Sequence, residues 1–438
     1  MRDFAPWLPV LGAGLAFLCL LAGLRAGRRR RLVENLPTSK TTGVFIGLVE
    51  LKGTAEVDAP LTSFLAECRC THYQWSVEEQ WERSVTETYT DDEGNTKTRT
   101  RTESGWTTVA NGGETIPFYL QDDCGVILVQ PEGAELEVPT TFDETCSMLN
   151  PLYYGKGPTG GIMDSTGRRR FHERALPLHA EIYVMGQASE REDAVAAKIA
   201  ADPSAPLFLI STRSEEEIRS GFAWAYWGWL LLGTLLLVGS FLWRDAVQGR
   251  DSGREWPFYV LAVLGFYCSA TVGWVWMVFN GLIDLRQRVR QAWAQVDVQL
   301  KRRHDLIPRL VATVTGLRDH EARLQTQVAA LRAQQSATPP GVAGPDYASC
   351  TAVMMAVQEA YPELTAEPAF LSLQQSLVDT EQRIALARGY FNEIATSYNT
   401  RLEQIPDRFI AMLGGLQAQP LMLAGDFERA TVTVNFAP

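Results

Sequence analysis

Residues 257–303, PFYVLAVLGFYCSATVGWVWMVFNGLIDLRQRVRQAWAQVDVQLKRR, decide the fold. Pro257 to Phe279 is a run of 23 residues without a charge. At about 1.5 Å of rise per residue such a run crosses a hydrocarbon core of ~30 Å. The pattern then changes without a break, and Ile283, Val289, Trp293, Val296 and Leu300 recur mostly in steps of three and four. That is the period of one helix face. A membrane span therefore leads directly into an amphipathic helix whose near end carries Arg286, Arg288 and Arg290, followed by Lys301, Arg302 and Arg303.

Two further windows are uncharged, Phe4 to Leu24 (21 residues) and Phe222 to Trp243 (22 residues). Trp224, Trp227, Trp229, Trp243, Trp256, Trp274 and Trp276 sit at the window edges, as interfacial aromatics do. The first window reads as a retained anchor and not as a cleaved leader, because Arg25 and Arg28, Arg29, Arg30 and Arg31 follow it and resist translocation. The spans are thus 4–24, 222–243 and 257–279. Arginine-rich borders after spans one and three predict that both flanks are cytoplasmic and that the N-terminus is outside. The connector 244–256 holds three Arg and three acidic residues and opposes nothing. An even number of crossings puts residues 32–211 and 280–438 in one compartment. In a reducing cytosol the seven cysteines are then expected as free thiols.

With 438 residues the chain accommodates several cores, and its net charge of −11 argues against nucleic acid as a partner. No ionisable side chain lies in the spans, which disfavours a transporter. Gly265, Ser269 and Gly273 recur every four residues on span three, a small-residue pattern for close helix packing against span one or a second copy.

Residues 32–211 read as short strands separated by Gly, Pro and Asp turn signals, hence a compact β-rich domain, barrel-like or sandwich-like. Thr86, Thr88 and Thr90 precede the turn Asp91 to Asn95, and Thr96, Thr98, Thr100 and Thr102 follow it. This predicts a long polar hairpin with Glu87 and Asp91 facing Lys97, Arg99 and Arg101, either a solvated ribbon or a partner-binding arm. Cys68, Cys70 and His72 alternate along a strand, but no second ligand pair completes a metal site. Asp122, Asp123, Glu132, Glu135 and Glu137 read as turn and edge residues in preference to a cation site. His172 and His179 read as satisfied structural groups. Residues 189–201 carry a Ser189/Glu192 capping box for a helix, with a strand as the other reading. Thr212 and Glu215 cap a helix expected to run unbroken into span two.

Residues 280–438 read as an antiparallel long-helix bundle. The first helix loosens near Pro308, a loop follows at Gln335 to Asp346, and a short helix runs from Tyr347 to Tyr361. A long helix covers 368–404, and a last apolar helix follows at Phe409 to Leu416. Asp297, Lys301, Arg302, Arg303, His304, Asp305, Glu381, Arg383 and Arg401 are candidates for polar contacts between the long helices or with a ligand. No nucleophile or clustered histidine accompanies them, so no catalytic residue, metal or cofactor is expected.

Two resemblances add to this reading. The strings Arg69-Cys70, Tyr73 to Glu79, Pro117-Phe118, Asp122 to Gly125, Glu132 to Ala134, Glu173 to Pro177, Tyr183 to Gly186 and Phe208 to Glu217 resemble the GIDE, or beside-a-membrane, domain. In its mitochondrial members a zinc-binding RING follows and carries ubiquitin ligase activity. Here only Cys350, His304 and His320 lie beyond span three, so the resemblance does not bring ligase chemistry with it. Leu285 to Pro308, Glu359 to Leu364, Thr380 to Ala385 and Tyr398 to Arg401 resemble the LemA family, which implies a span leading into a long-helix bundle and no catalytic assignment.

The sequence thus predicts a three-span bacterial inner-membrane scaffold or sensor with two cytosolic binding domains. Its basic borders, Arg28 to Arg31 with Arg286, Arg288 and Arg290, meet anionic headgroups. Cys70, Lys97, Arg99, Arg101, Asp297, Arg303, Arg383 and Arg401 are its candidate contacts for unidentified protein partners or for self-assembly. The rival is an enzyme, ligase-like or dependent on a thiol or metal.

Overall fold

The computed structural model describes residues 6–90, 96–190, 197–203, 205–249, 252–315, 340 and 368–422. Within these the elements are α1 (Leu8–Asn35), β1 (Thr38–Ser39), β2 (Gly47–Glu56), β3 (Leu61–Thr62), β4 (Arg69–Thr90), β5 (Thr96–Thr115), β6 (Phe118–Gln121) and β7 (Val126–Val129). They continue with β8 (Glu135–Glu137), β9 (Thr140–Ser147), α2 (Pro151–Gly155), β10 (Ser165–Pro177), β11 (Glu181–Glu190), β12 (Ala197–Ala200) and β13 (Leu209–Ser211). Four helices follow: α3 (Glu215–Gln248), α4 (Ser252–Thr315), α5 (Pro368–Glu403) and α6 (Asp407–Leu413). The turn at Asp91 to Asn95, the helix at Tyr347 to Tyr361 and the residues Cys350 and His320 lie outside the described residues.

The chain divides into two compact units, Thr38–Ser214 and the combination of Met1–Pro37 with Glu215–Pro438. In the β unit one sheet runs β1-β2-β6-β7-β12-β11-β13-β8, and β11 pairs β2 as well, so β2, β6, β7, β12 and β11 close into a barrel. Alternating residues fill it, among them Leu51, Leu120, Val129, Val184, Ile199 and Ile210. Closure explains why Ser189, Glu190 and Ala197 to Ala200, the described ends of that stretch, are strand. Ser189 pairs with Lys198 between β11 and β12, and that pairing overrides the local capping preference. A second sheet runs β3-β4-β10-β9 with β5 added on β4. Thr86, Thr88 and Thr90 stand opposite Thr100, Thr98 and Thr96, and Glu87 stands opposite Arg99. Past Trp81, the last residue of β4 paired with β10, the two strands continue alone for nine residues, about 30 Å at ~3.3 Å each.

In the helical unit α1, α3 and α4 are long and apolar enough to cross a membrane. The α3 helix begins with Glu215, Glu216 and Glu217 in its first turn, where the helix dipole favours negative charge, and runs through the apolar window in one piece. α1 lies antiparallel to α3: a Cβ on Gly12 would collide with Ser240, and one on Gly27 would lie 3.2 Å from Tyr226. Small residues Gly12, Ala16, Cys19, Gly23 and Gly27 form the buried stripe of α1. Of the stripe expected on span three, Gly273 packs on Leu24, whereas a Cβ on Gly265 meets nothing and Ser269 is exposed. The reason is that α4 turns Phe266 and Ala270 toward the helix pair, so the small residues that allow close approach come from α1, from Gly233 and, on α4, from Gly273.

Six exposed tryptophans at the ends of the apolar helices form two belts. Trp224, Trp227 and Trp276 lie at one level, and Trp7, Trp243 and Trp256 at the other. Twenty residues separate Trp256 from Trp276, about 30 Å of helix. Beyond this band α4 continues through Pro308 to Thr315, the donor missing at that proline being absorbed in a 64-residue helix. α5 packs antiparallel on it: Trp293 meets Phe391 edge-on at 5.8 Å, and Arg303 reaches Glu381 at 3.4 Å. Val289, Ala292, Val296 and Leu300 are the buried positions on one side, and Leu377, Ile384, Ile394 and Tyr398 on the other.

Candidate site: a charged junction at the membrane boundary

The arginine run closing α1 does not simply face headgroups. Arg31 donates from Nη1 to Asp407 Oδ2 at 3.0 Å and from Nη2 to Oδ1 at 3.3 Å. Arg401, near the end of α5, lies 3.7 Å from Asp407 and 2.7 Å from Glu34. Asp407 is buried, so two guanidinium groups balance a carboxylate largely removed from water. The junction ties the basic end of α1 to the α5–α6 corner. Arg25 and Arg28 remain exposed, and Arg29 and Arg30 are half-buried. Arg286 and Arg288 are half-buried and Arg290 is exposed.

α6 is held by Ile410 and Ala411, which pack on Val278 and Leu282 where α4 leaves the apolar band. The chain after α6 returns along α5 in an orderly way. Asn392 donates to the Met422 carbonyl at 3.1 Å and accepts its amide at 2.7 Å, while Asn399 does the same for Gln419 at 2.8 Å and 2.8 Å. Seven residues, two helical turns, separate the two asparagines, matching about 10 Å of extended chain between their partners. Sequence reasoning missed Glu34, Asp407, Asn392 and Asn399. The one available signal was the pair of asparagines two turns apart on a helix.

The other candidates divide between seam and surface. Arg303 is buried against Glu381, and Arg383 pairs with Asp379 of its own helix at 3.0 Å. Asp297 is exposed. In the β unit Arg99 and Arg101 are exposed on the ribbon, and Lys97 stands opposite Tyr89 in register. Cys70 offers no surface: it is buried, and burial together with the nearby Cys68 and Glu173 pushes its thiol up to about 12. The six described cysteines are free thiols.

The charged groups inside the β unit serve local structure. Arg169 and Glu79 are both fully buried and paired at 2.9 Å. Arg169 also donates to the carbonyls of Tyr153, Pro158 and Gly160, pinning the α2 loop to the sheet. Glu173 accepts the amides of Leu65 and Ala66. Asp122, Asp123 and Cys124 bring three ligand-type atoms within 4.8 Å of one another. Asp122, however, is already taken by Thr41 and by the Cys124 and Gly125 amides, and Asp123 by Lys40 at 2.5 Å. Burial would raise the Asp122 carboxyl, but these hydrogen bonds hold it below its ordinary range. The donor set fits a closed turn and not a cation. His172 and His179 lie beside Asp143 and Glu56 at 3.3 Å and 2.8 Å.

Comparison with known proteins finds two families. Residues 292–436 match the LemA family, and residues 86–243 match the family described as GIDE, E3 ubiquitin ligase. The Magnetosome protein MamQ of Magnetospirillum gryphiswaldense is 36% identical over 64 residues, 15% of this chain and 24% of that protein. The matched part thus spans about a quarter of the length of this curated relative. No solved structure matches. The chain thus carries three helices long and apolar enough to cross a membrane, one stretch similar to the GIDE family and another similar to the LemA family.

Proposed function

We propose that this protein is a scaffold or sensor of a bacterial inner membrane, with its N-terminus outside and its β-rich and helical parts both in the cytosol. The observation that carries the reading is the Arg31, Asp407, Arg401 and Glu34 junction. It sets the arginine-rich end of α1 beside the point where α4 leaves the apolar band, so both basic borders fall on one side, the side that retains arginine. Arg25, Arg28 and Arg290 meet anionic headgroups there, each cation contributing ~1 kcal/mol near such a surface. The ribbon bearing Lys97, Arg99 and Arg101 reaches protein partners or a second copy. Crosslinking in intact membranes tests this: the wild-type chain captures a defined partner or itself through the ribbon, and Arg99→Glu/Arg101→Glu loses that adduct. Capture that is indifferent to the ribbon charge would count against it.

A second reading, thiol or metal enzymology including ligase-like chemistry, follows from the GIDE match. The buried, high-pKa Cys70 and the occupied Asp122 turn disfavour it. A Cys70→Ala chain that keeps full cellular activity, purified without stoichiometric zinc, ends this reading. Loss of activity with the fold intact revives it.

A further inference from the structure

The membrane boundary carries an apolar face that the junction leaves open. On α6, Ile410 and Ala411 turn inward, while Phe409, Met412 and Leu413 are 60%, 69% and 89% exposed. At about 100° per residue these three fall within a ~100° arc on the side of the helix opposite Ala411. A stripe this apolar at an arbitrary place would be unassigned. Here its level is fixed, because α6 packs on Val278 and Leu282, with Trp274 and Phe279 of the uncharged window against the same cluster. A Cβ on Gly414 would lie 2.7 Å from Phe279 Cε2, so the end of α6 is pressed onto the last turn of that window. Trp276, one turn away on α4, is 70% exposed in the interfacial belt. The open face is thus continuous with the lipid-facing surface of α4, and the exposed Arg408 flanks it as interfacial cations do.

We propose that α6 is an interfacial helix that lowers Phe409, Met412 and Leu413 into the headgroup and upper acyl region of the leaflet at which α4 emerges. The helical unit then has a fourth membrane contact besides its three spans, and the Asp407 junction holds α6 at that depth. The inference rests on reading α1, α3 and α4 as membrane-spanning.

The full chain in phosphatidylglycerol-containing nanodiscs, with a diazirine on an upper acyl carbon of the lipid, provides the test. After irradiation, adducts are mapped by mass spectrometry on 405–416, on the three spans and on 371–388. The last segment includes the exposed Val378, about 38 Å up α5 from Glu403 and beyond the reach of lipid. The expected result is a yield on 405–416 at least tenfold above 371–388, falling at least fivefold in Met412→Asp/Leu413→Asp while span adducts stay constant. Adducts on the spans with 405–416 no higher than 371–388 would overturn the proposal. Absence of adducts from all three spans would overturn the membrane reading and the proposal with it.

Discussion

Arg31 and Asp407, 376 residues apart in sequence, meet at 3.0 Å in a shared pair that also takes Arg401. Removing a buried carboxylate between two guanidinium groups leaves like charges facing one another in poor solvent. Asp407→Ala is expected to destabilise the helical unit by roughly 2–4 kcal/mol, read as earlier thermal unfolding in nanodiscs, whereas Arg28→Ala, at an exposed position, changes little. Equal effects of the two substitutions would remove the junction from the account.

Glu79 gives the β unit an acid limit. Burial acts to raise its carboxyl, but hydrogen bonds from Ser165, Arg169 and Tyr153 and the Arg169 charge outweigh that and hold it below its ordinary value of 4.5. A carboxyl with a lowered folded pKa contributes stability that is complete above its unfolded value and is lost as pH falls through the folded one. Stability of the wild-type chain should therefore decline below about pH 4.5, and Glu79→Gln should flatten that slope. The same substitution leaves Arg169 buried without its counter-charge, so at pH 7 a loss of roughly 3–5 kcal/mol is expected. Denaturant titrations at several pH values check both statements.

Close approach of α1 to α3 depends on missing side chains. A Cβ on Gly233 would lie 2.9 Å from Phe266 and 3.2 Å from Cys19, while one on Gly265 meets nothing within 4 Å. Gly233→Leu should cost about 1–3 kcal/mol by overpacking and make α1 accessible to protease, and Gly265→Leu should be tolerated. A reversed order would show that span three packs by its small-residue stripe after all.

The two asparagines of α5 make a backbone ladder that does not depend on the sequence it holds. Asn392→Ala or Asn399→Ala leaves a donor and an acceptor of the 419–422 segment without partners, roughly 1–3 kcal/mol each when buried. Hydrogen exchange should rise at least tenfold at the Met422 or the Gln419 amide respectively. Asn→Asp keeps the acceptor and should protect that amide more than Ala does. Unchanged exchange in the alanine variants would mean that the ladder does not hold the segment.

Much of this was readable from local pattern. The uncharged windows, the change to a helical period after Phe279 and the Thr alternation across Asp91 to Asn95 each reflect one element meeting one kind of surroundings. What stayed hidden depends on tertiary partners. Ser189 carries a helix-capping signal that only its pairing with Lys198 across β11 and β12 overrides. Gly265, Ser269 and Gly273 have ideal spacing, but which face of α4 turns inward is set by Phe266 and Ala270 against α1 and α3. Arg401 was legible as a polar contact, yet its partners Glu34 and Asp407 come from the other end of the sequence and from the corner between the last two helices. Cys70 was legible by alternation, and only the tertiary packing shows that it is buried.

The central claim is that both arginine-rich borders lie on the same, inner side of the membrane. Topology reporters fused after Ala26, within 244–256 and at Pro438 test it directly. Inside, outside, inside is the order expected. A reporter at Pro438 that reads outside, or one within 244–256 that reads inside, contradicts it.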